Sequence, residues 1–140
     1  MKTFGSFLLI VAFLVGVVLF SIYGSSTHHE TRESIWWGER GKNLIPPTAV
    51  DLTLQQDFLD HYVLYTISDS DLHRFLKQQF PKSFEREEVN AADLGKRVGS
   101  LGWEMTDQSV VYTAYAQNGT AHYFYHDLKS GQTYQVSAYW

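Results

Sequence analysis

The chain carries six histidines and no cysteine. A thiolate nucleophile, a cysteine-ligated zinc and a disulfide framework are therefore excluded. The most suggestive spacing is His122-x-x-x-His126. On a helix, side chains four apart converge, and such a pair chelates a metal. The surrounding run, AHYFYHD, is instead aromatic and alternating, which predicts a strand. On a strand the two imidazoles share a face but stand ~13 Å apart, too far to hold one ion. Either could serve as a general base, so a small hydrolase-like enzyme using His122 or His126 is the alternative reading. No nucleophile or carboxylate is fixed beside either ring by spacing, and no serine elbow, phosphate-cradling glycine loop or paired-carboxylate motif occurs. Asp69 and Asp71 are accounted for by helix capping. His28-His29 beside Glu30 sits among small polar residues and does not make a closed ligand set. No catalytic residue, metal or cofactor is expected.

The elements that would position these residues follow from turns. Asn118-Gly119 is a strong hairpin signal, because both central positions of the favoured two-residue turn need positive φ. The same residues, with Thr120, match a glycosylation acceptor, but the turn explains them. A two-residue turn sets Ala116 opposite Ala121, Ala114 opposite Tyr123 and Tyr112 opposite Tyr125. A four-residue loop at 128–131 then sets Tyr125 opposite Tyr134 and Tyr123 opposite Val136. One face of this meander becomes Val110, Tyr112, Ala114, Tyr123, Tyr125, Tyr134, Val136 and Ala138, the expected core. The other face carries Tyr115, His122, Phe124 and His126 among threonines, Gln135, Ser137 and Tyr139, with nothing evident to cover it. Aromatic residues among polar ones suit a binding surface, so Tyr115, His122, Phe124 and His126 are the candidate site.

Upstream, Val50, Leu52 and Leu54 alternate with polar residues, and HYVLYTI (61–67) follows, predicting two more strands. Ser68, with acidic residues at 69 and 71, starts a helix. Leu72, Phe75, Leu76 and Phe80 fall on one stripe, and Pro81 ends it, giving a helix over residues 69–80. Residues 82–102 carry charge and glycine without clear periodicity. The expected fold class is α+β, with one amphipathic helix on an antiparallel sheet of about five strands.

Residues 4–23, FGSFLLIVAFLVGVVLFSIY, carry no charge. About 20 residues at ~1.5 Å each match the hydrocarbon core of a bilayer. The run exceeds the apolar core of a signal peptide, its cleavage options are poor, and Tyr23 suits an interfacial position. It therefore reads as a retained signal-anchor: residues 1–23 anchor, 24–45 tether, 46–140 domain. The lipid bilayer, met from Phe4 to Tyr23, is one expected partner. Arg32, Arg40 and Lys42 after the run outnumber Lys2 before it, which argues for a cytoplasmic domain, but a chain opening on such a segment behaves as an export signal, which places the domain outside the cytoplasm. Ile35-Trp36-Trp37 is read as a lid packed under the domain. The remaining length supports one small core. A net charge of −4 without a basic cluster argues against nucleic acid.

The runs WWGER, IPPTAVDLTL, YVLYTISDSDLHRFL and YFYHDLKSGQTYQVSAYW resemble single-pass membrane proteins of planctomycete-type bacteria. That resemblance covers most of residues 36–140 and implies no site residue. The resulting expectation is a membrane-anchored, non-catalytic envelope domain that binds a protein or envelope polymer through its aromatic and histidine face.

Overall fold

The computed structural model describes residues 2–22, 26–36, 39, 41–56, 60–81 and 84–138. An N-terminal helix, α1 (Lys2–Ile22), precedes the sheet domain, and the apolar side chains along it are exposed, Leu9 and Phe13 by more than two thirds. The expectation of a single-pass span is corrected here. Among the described residues no helix is long and apolar enough to cross a membrane. The placement of the domain outside the cytoplasm rested on that span and is withdrawn with it. Tyr23, the expected interfacial residue, lies outside the described residues.

Seven strands form one antiparallel sheet: β1 (Thr27–Thr31), β2 (Val50–Gln56), β3 (Asp60–Thr66), β4 (Phe84–Glu88), β7 (Ser109–Tyr115), β8 (Ala121–Asp127) and β9 (Gln132–Ala138). They run in the order β1-β2-β3-β9-β8-β7-β4. A separate small hairpin joins β5 (Arg97–Val98) to β6 (Trp103–Glu104). The protein is thus mostly β, which corrects the α+β expectation of about five strands. The two unforeseen strands of the large sheet are its edges, β1 (THHET) and β4 (FEREE). An edge strand buries little, so it needs no apolar alternation, and charge there discourages edge-to-edge association.

The stretch read as a tether also belongs to the domain. Thr27–Thr31 pairs with β2, and Ile35 and Ile45 are core residues. Glu39, almost fully buried, clasps this segment to β1. It accepts hydrogen bonds from the Thr27 hydroxyl (2.7 Å) and the Trp36 amide (3.1 Å), and pairs with His29 at 2.9 Å. Trp36 itself is substantially exposed, so Ile35 alone of the described pair packs beneath the domain; Trp37 lies outside the described residues.

Helix α2 (Asp69–Gln79) stands where its capping residues place it. The Ser68 hydroxyl accepts from the Asp71 amide, and Asp69 and Asp71 occupy the first turn. Its buried stripe of Leu72, Phe75 and Leu76, continued by Phe80, packs on one face of the sheet against Leu52, Leu54, Val63 and Phe124.

A single backbone irregularity bends β2. Asp51 has φ +58°, and the register shifts between Val50 and Thr53, forming a bulge. The exposed Asp51 carboxylate meets His28 at 3.3 Å, a surface pair of little energetic weight. Asp51→Gly is expected to leave stability within about 0.5 kcal/mol, because relieved strain offsets greater unfolded-state freedom. Asp51→Val is expected to cost about 1–2 kcal/mol, since a β-branched residue resists positive φ. Urea denaturation of the two variants checks the sign and the order.

Candidate functional site

The hairpin between β7 and β8 decides which side chains can meet a partner. Its turn is not the two-residue form. The Gly119 amide donates to the Ala116 carbonyl, the Ala116 amide donates to the Thr120 carbonyl, and Gly119 takes φ +86°. This is a three-residue loop closed by a glycine bulge. The extra residue sets Ala114 opposite His122, Tyr112 opposite Phe124 and Val110 opposite His126. A one-residue slip exchanges the faces of a strand, so β8 and β9 present the opposite sides from those expected.

The expectation that Tyr115, His122, Phe124 and His126 form one open face is therefore corrected. His122, Phe124 and His126 are buried under α2, and of the four only Tyr115, on the far side of the sheet, is exposed. Several of the polar residues in this interior satisfy one another. Tyr65 donates to Gln135 (3.1 Å), whose amide group donates in turn to the Leu44 carbonyl and the Ser137 hydroxyl (both 3.1 Å). The Tyr112 hydroxyl donates to Asp69 at 2.7 Å. Burial, together with that hydrogen bond and the Asp69 charge, pushes the Tyr112 hydroxyl up to about 12, against an opposing effect of Arg86.

One array in this interior has the composition of a catalytic relay. His126 Nδ1 lies 2.8 Å from the Thr133 hydroxyl, and its Nε2 faces Asp69 Oδ1 at 3.9 Å. Accessibility is inverted, however. Thr133 and His126 are fully enclosed, whereas the carboxylate is about half exposed. No substrate carbonyl reaches the hydroxyl, and 3.9 Å exceeds hydrogen-bonding range. Burial holds the His126 imidazole below its usual pKa, outweighing the nearby charges of Asp69 and Asp127, and lowers that of His122 as well. Both rings are neutral packing groups; His122 lies 5.4 Å from the Phe80 ring. Among the described residues no three His, Asp or Glu side chains are grouped to hold a metal.

The opposite face of the sheet is where β8 presents its tyrosines. Segment 89–108, which includes the β5–β6 hairpin, crosses this face. Gly99 lies directly on the Tyr134 ring, and Ser100 hydrogen-bonds to Gln55 on β2. Tyr134, fully buried beneath it, stacks on Tyr62 (6.3 Å between centroids) and lies 6.2 Å from Tyr125. Where segment 89–108 leaves the sheet uncovered, a groove of about 490 Å³ opens between it, β4, β7 and β8. Tyr123 and Tyr125 supply aromatic surface, Val111 and Thr113 complete the sheet side, Met105 closes the far wall, and Glu87, Glu88 and Asp93 bring carboxylates to it. Tyr123 is 38% exposed. Burial, and secondarily Tyr123, raises the Tyr125 pKa, so the Tyr125 ring remains a neutral hydroxyl donor.

A second cavity of about 450 Å³ lies by the C-terminal end of α2, lined by Leu44, Phe80 and Tyr115. Of the four expected site residues, Tyr115 lines this cavity, and the groove residues Tyr123 and Tyr125 are ones that the two-residue turn assigned to the core. The signal that separates the two outcomes is Gln117. Counting it with Asn118-Gly119 as a three-residue loop restores the observed register. Comparison with known protein families, characterised proteins and solved structures finds no match to this chain.

Proposed function

We propose that this protein is a non-catalytic binding domain that takes a protein or polymer segment in the Tyr123/Tyr125 groove. The observation that carries the reading is an open groove on the outer sheet face with exposed aromatic surface, beside an interior whose imidazoles meet no solvent. Tyrosine combines a large, stiff apolar ring with a hydroxyl, which favours it at recognition surfaces. A groove of this size accepts one or two side chains or a single polymer unit, and the flanking sheet supplies a rigid base.

A photoreactive residue placed at Tyr123, with the same residue placed at exposed Gln78 on α2 as control, tests the reading in cells of the source organism. Crosslinks to a discrete partner are expected at 123 and absent at 78. Tyr125→Ala is expected to reduce the yield at 123 by about tenfold or more, as loss of an aromatic anchor does. Equal crosslinking at both positions, or none at 123, overturns the assignment of the groove.

A further inference from the structure

We propose that the partner is an extended peptide segment bearing lysine or arginine, which adds to β4 as an eighth strand and lays its basic side chains over the groove. This rests on the reading of the groove as a binding site and names the chemistry of its occupant. Strand β4 ends the sheet order, and no strand among the described residues pairs with its outer side. Such an edge presents backbone donors and acceptors that an extended peptide can complete. The register sets Glu85 opposite Thr113 and Glu87 opposite Val111. Those carboxylates therefore share the face of the sheet that holds Val111, Thr113, Tyr123 and Tyr125. Alternate side chains of an added strand would stand ~5 Å from Glu85 and Glu87, within reach of the groove.

Charge selects among occupants. Residues 85–88 read Glu-Arg-Glu-Glu, and Asp93 adds a further carboxylate at the groove. The faces of Tyr123 and Tyr125 carry negative quadrupole density, which attracts an ammonium or guanidinium group. A basic segment thus finds both partners that its charge requires. A second copy offering its own β4 would set Glu85–Glu88 against the same residues, and the chain as a whole carries −4. The charges that keep copies from joining edge to edge therefore admit a basic strand.

A short capped peptide alternating lysine and valine, and its glutamate–valine counterpart, provide the test with the full chain. The lysine peptide is expected to bind, to slow amide exchange at residues 84–88, and to weaken in about 0.5 M salt. The glutamate peptide is expected to leave exchange unchanged. Glu85→Lys with Glu87→Lys, two exposed positions whose fold is checked by circular dichroism, should cost the lysine peptide about tenfold in affinity. No binding, equal binding of the glutamate peptide, or protection outside β4 overturns the proposal. If crosslinks form at Tyr123 while the lysine peptide fails to bind, the groove survives as a site and the basic strand does not.

Discussion

Gly41→Ala is expected to lower the stability of the domain by about 2–5 kcal/mol. Two independent costs combine. Gly41 takes φ +82°, a left-handed conformation that costs a residue with a Cβ about 1–2 kcal/mol. A Cβ at this position would also collide with Cε1 and Nε2 of the His61 ring and fall 2.8 Å from Nδ1. That ring is fully buried and cannot swing aside, so the backbone must move. Overpacking of this kind costs about 1–3 kcal/mol. The displacement would spread, because Gly41 starts the short helical turn Lys42–Leu44, and the Leu44 carbonyl accepts from buried Gln135. Gly119→Ala is the control. Gly119 has φ +86°, yet an added Cβ meets nothing within 4 Å. It should show the conformational cost alone, about 1–2 kcal/mol. Guanidinium denaturation of both variants separates the terms. Equal losses at 41 and 119 would refute the close packing of Gly41 on His61.

The sequence was most legible where one physical demand acted alone. Alternation exposed β2 because Leu52 and Leu54 face the core while Thr53 and Gln55 do not. Capping exposed α2 because the Ser68 hydroxyl accepts from the Asp71 amide and Asp69 and Asp71 place negative charge in the first turn. Legibility failed where one residue carried geometry. Including Gln117 in the turn changes the register and turns His122, Phe124 and His126 inward. It failed again where polar residues make a core, since Thr133, Gln135 and Ser137 read as a wet face until the hydrogen bonds of Thr133 with His126 and of Gln135 with Ser137 are known. Edge strands β1 and β4 were silent for a third reason. Their pairing draws on backbone hydrogen bonds and little on burial, so composition carries no trace of it. The candidate site inherited these errors: Tyr115 stayed on the outer face, and the groove tyrosines changed sides with the register.

Acid is expected to weaken the fold through the same inward-facing histidines. Burial lowers the pKa of His122 and His126 below the ordinary value of 6.5. In the unfolded chain both rings take up protons as pH falls through about 6.5, whereas the folded chain resists. The unfolded state then binds more protons, so stability is fully present above that pH. It declines as pH falls toward the folded-state values, by up to about 1.4 kcal/mol per pH unit for each ring. Asp127 adds a second, lower window. Burial raises its pKa, but hydrogen bonds from the Thr106 and Ser130 hydroxyls and from the Ser130 and Lys129 amides outweigh that effect and hold it below 3.8. Its contribution is present above that pH and is lost as the carboxylate protonates. Urea denaturation at pH 7.5, 6.0 and 5.0 should therefore show a falling midpoint across the histidine window. His122→Gln with His126→Asn should flatten that fall, whatever the double variant loses in absolute stability, because neither replacement titrates there. A slope unchanged in the double variant would mean that the acid response arises elsewhere and that these two imidazoles exchange protons as freely in the folded chain as in the unfolded one.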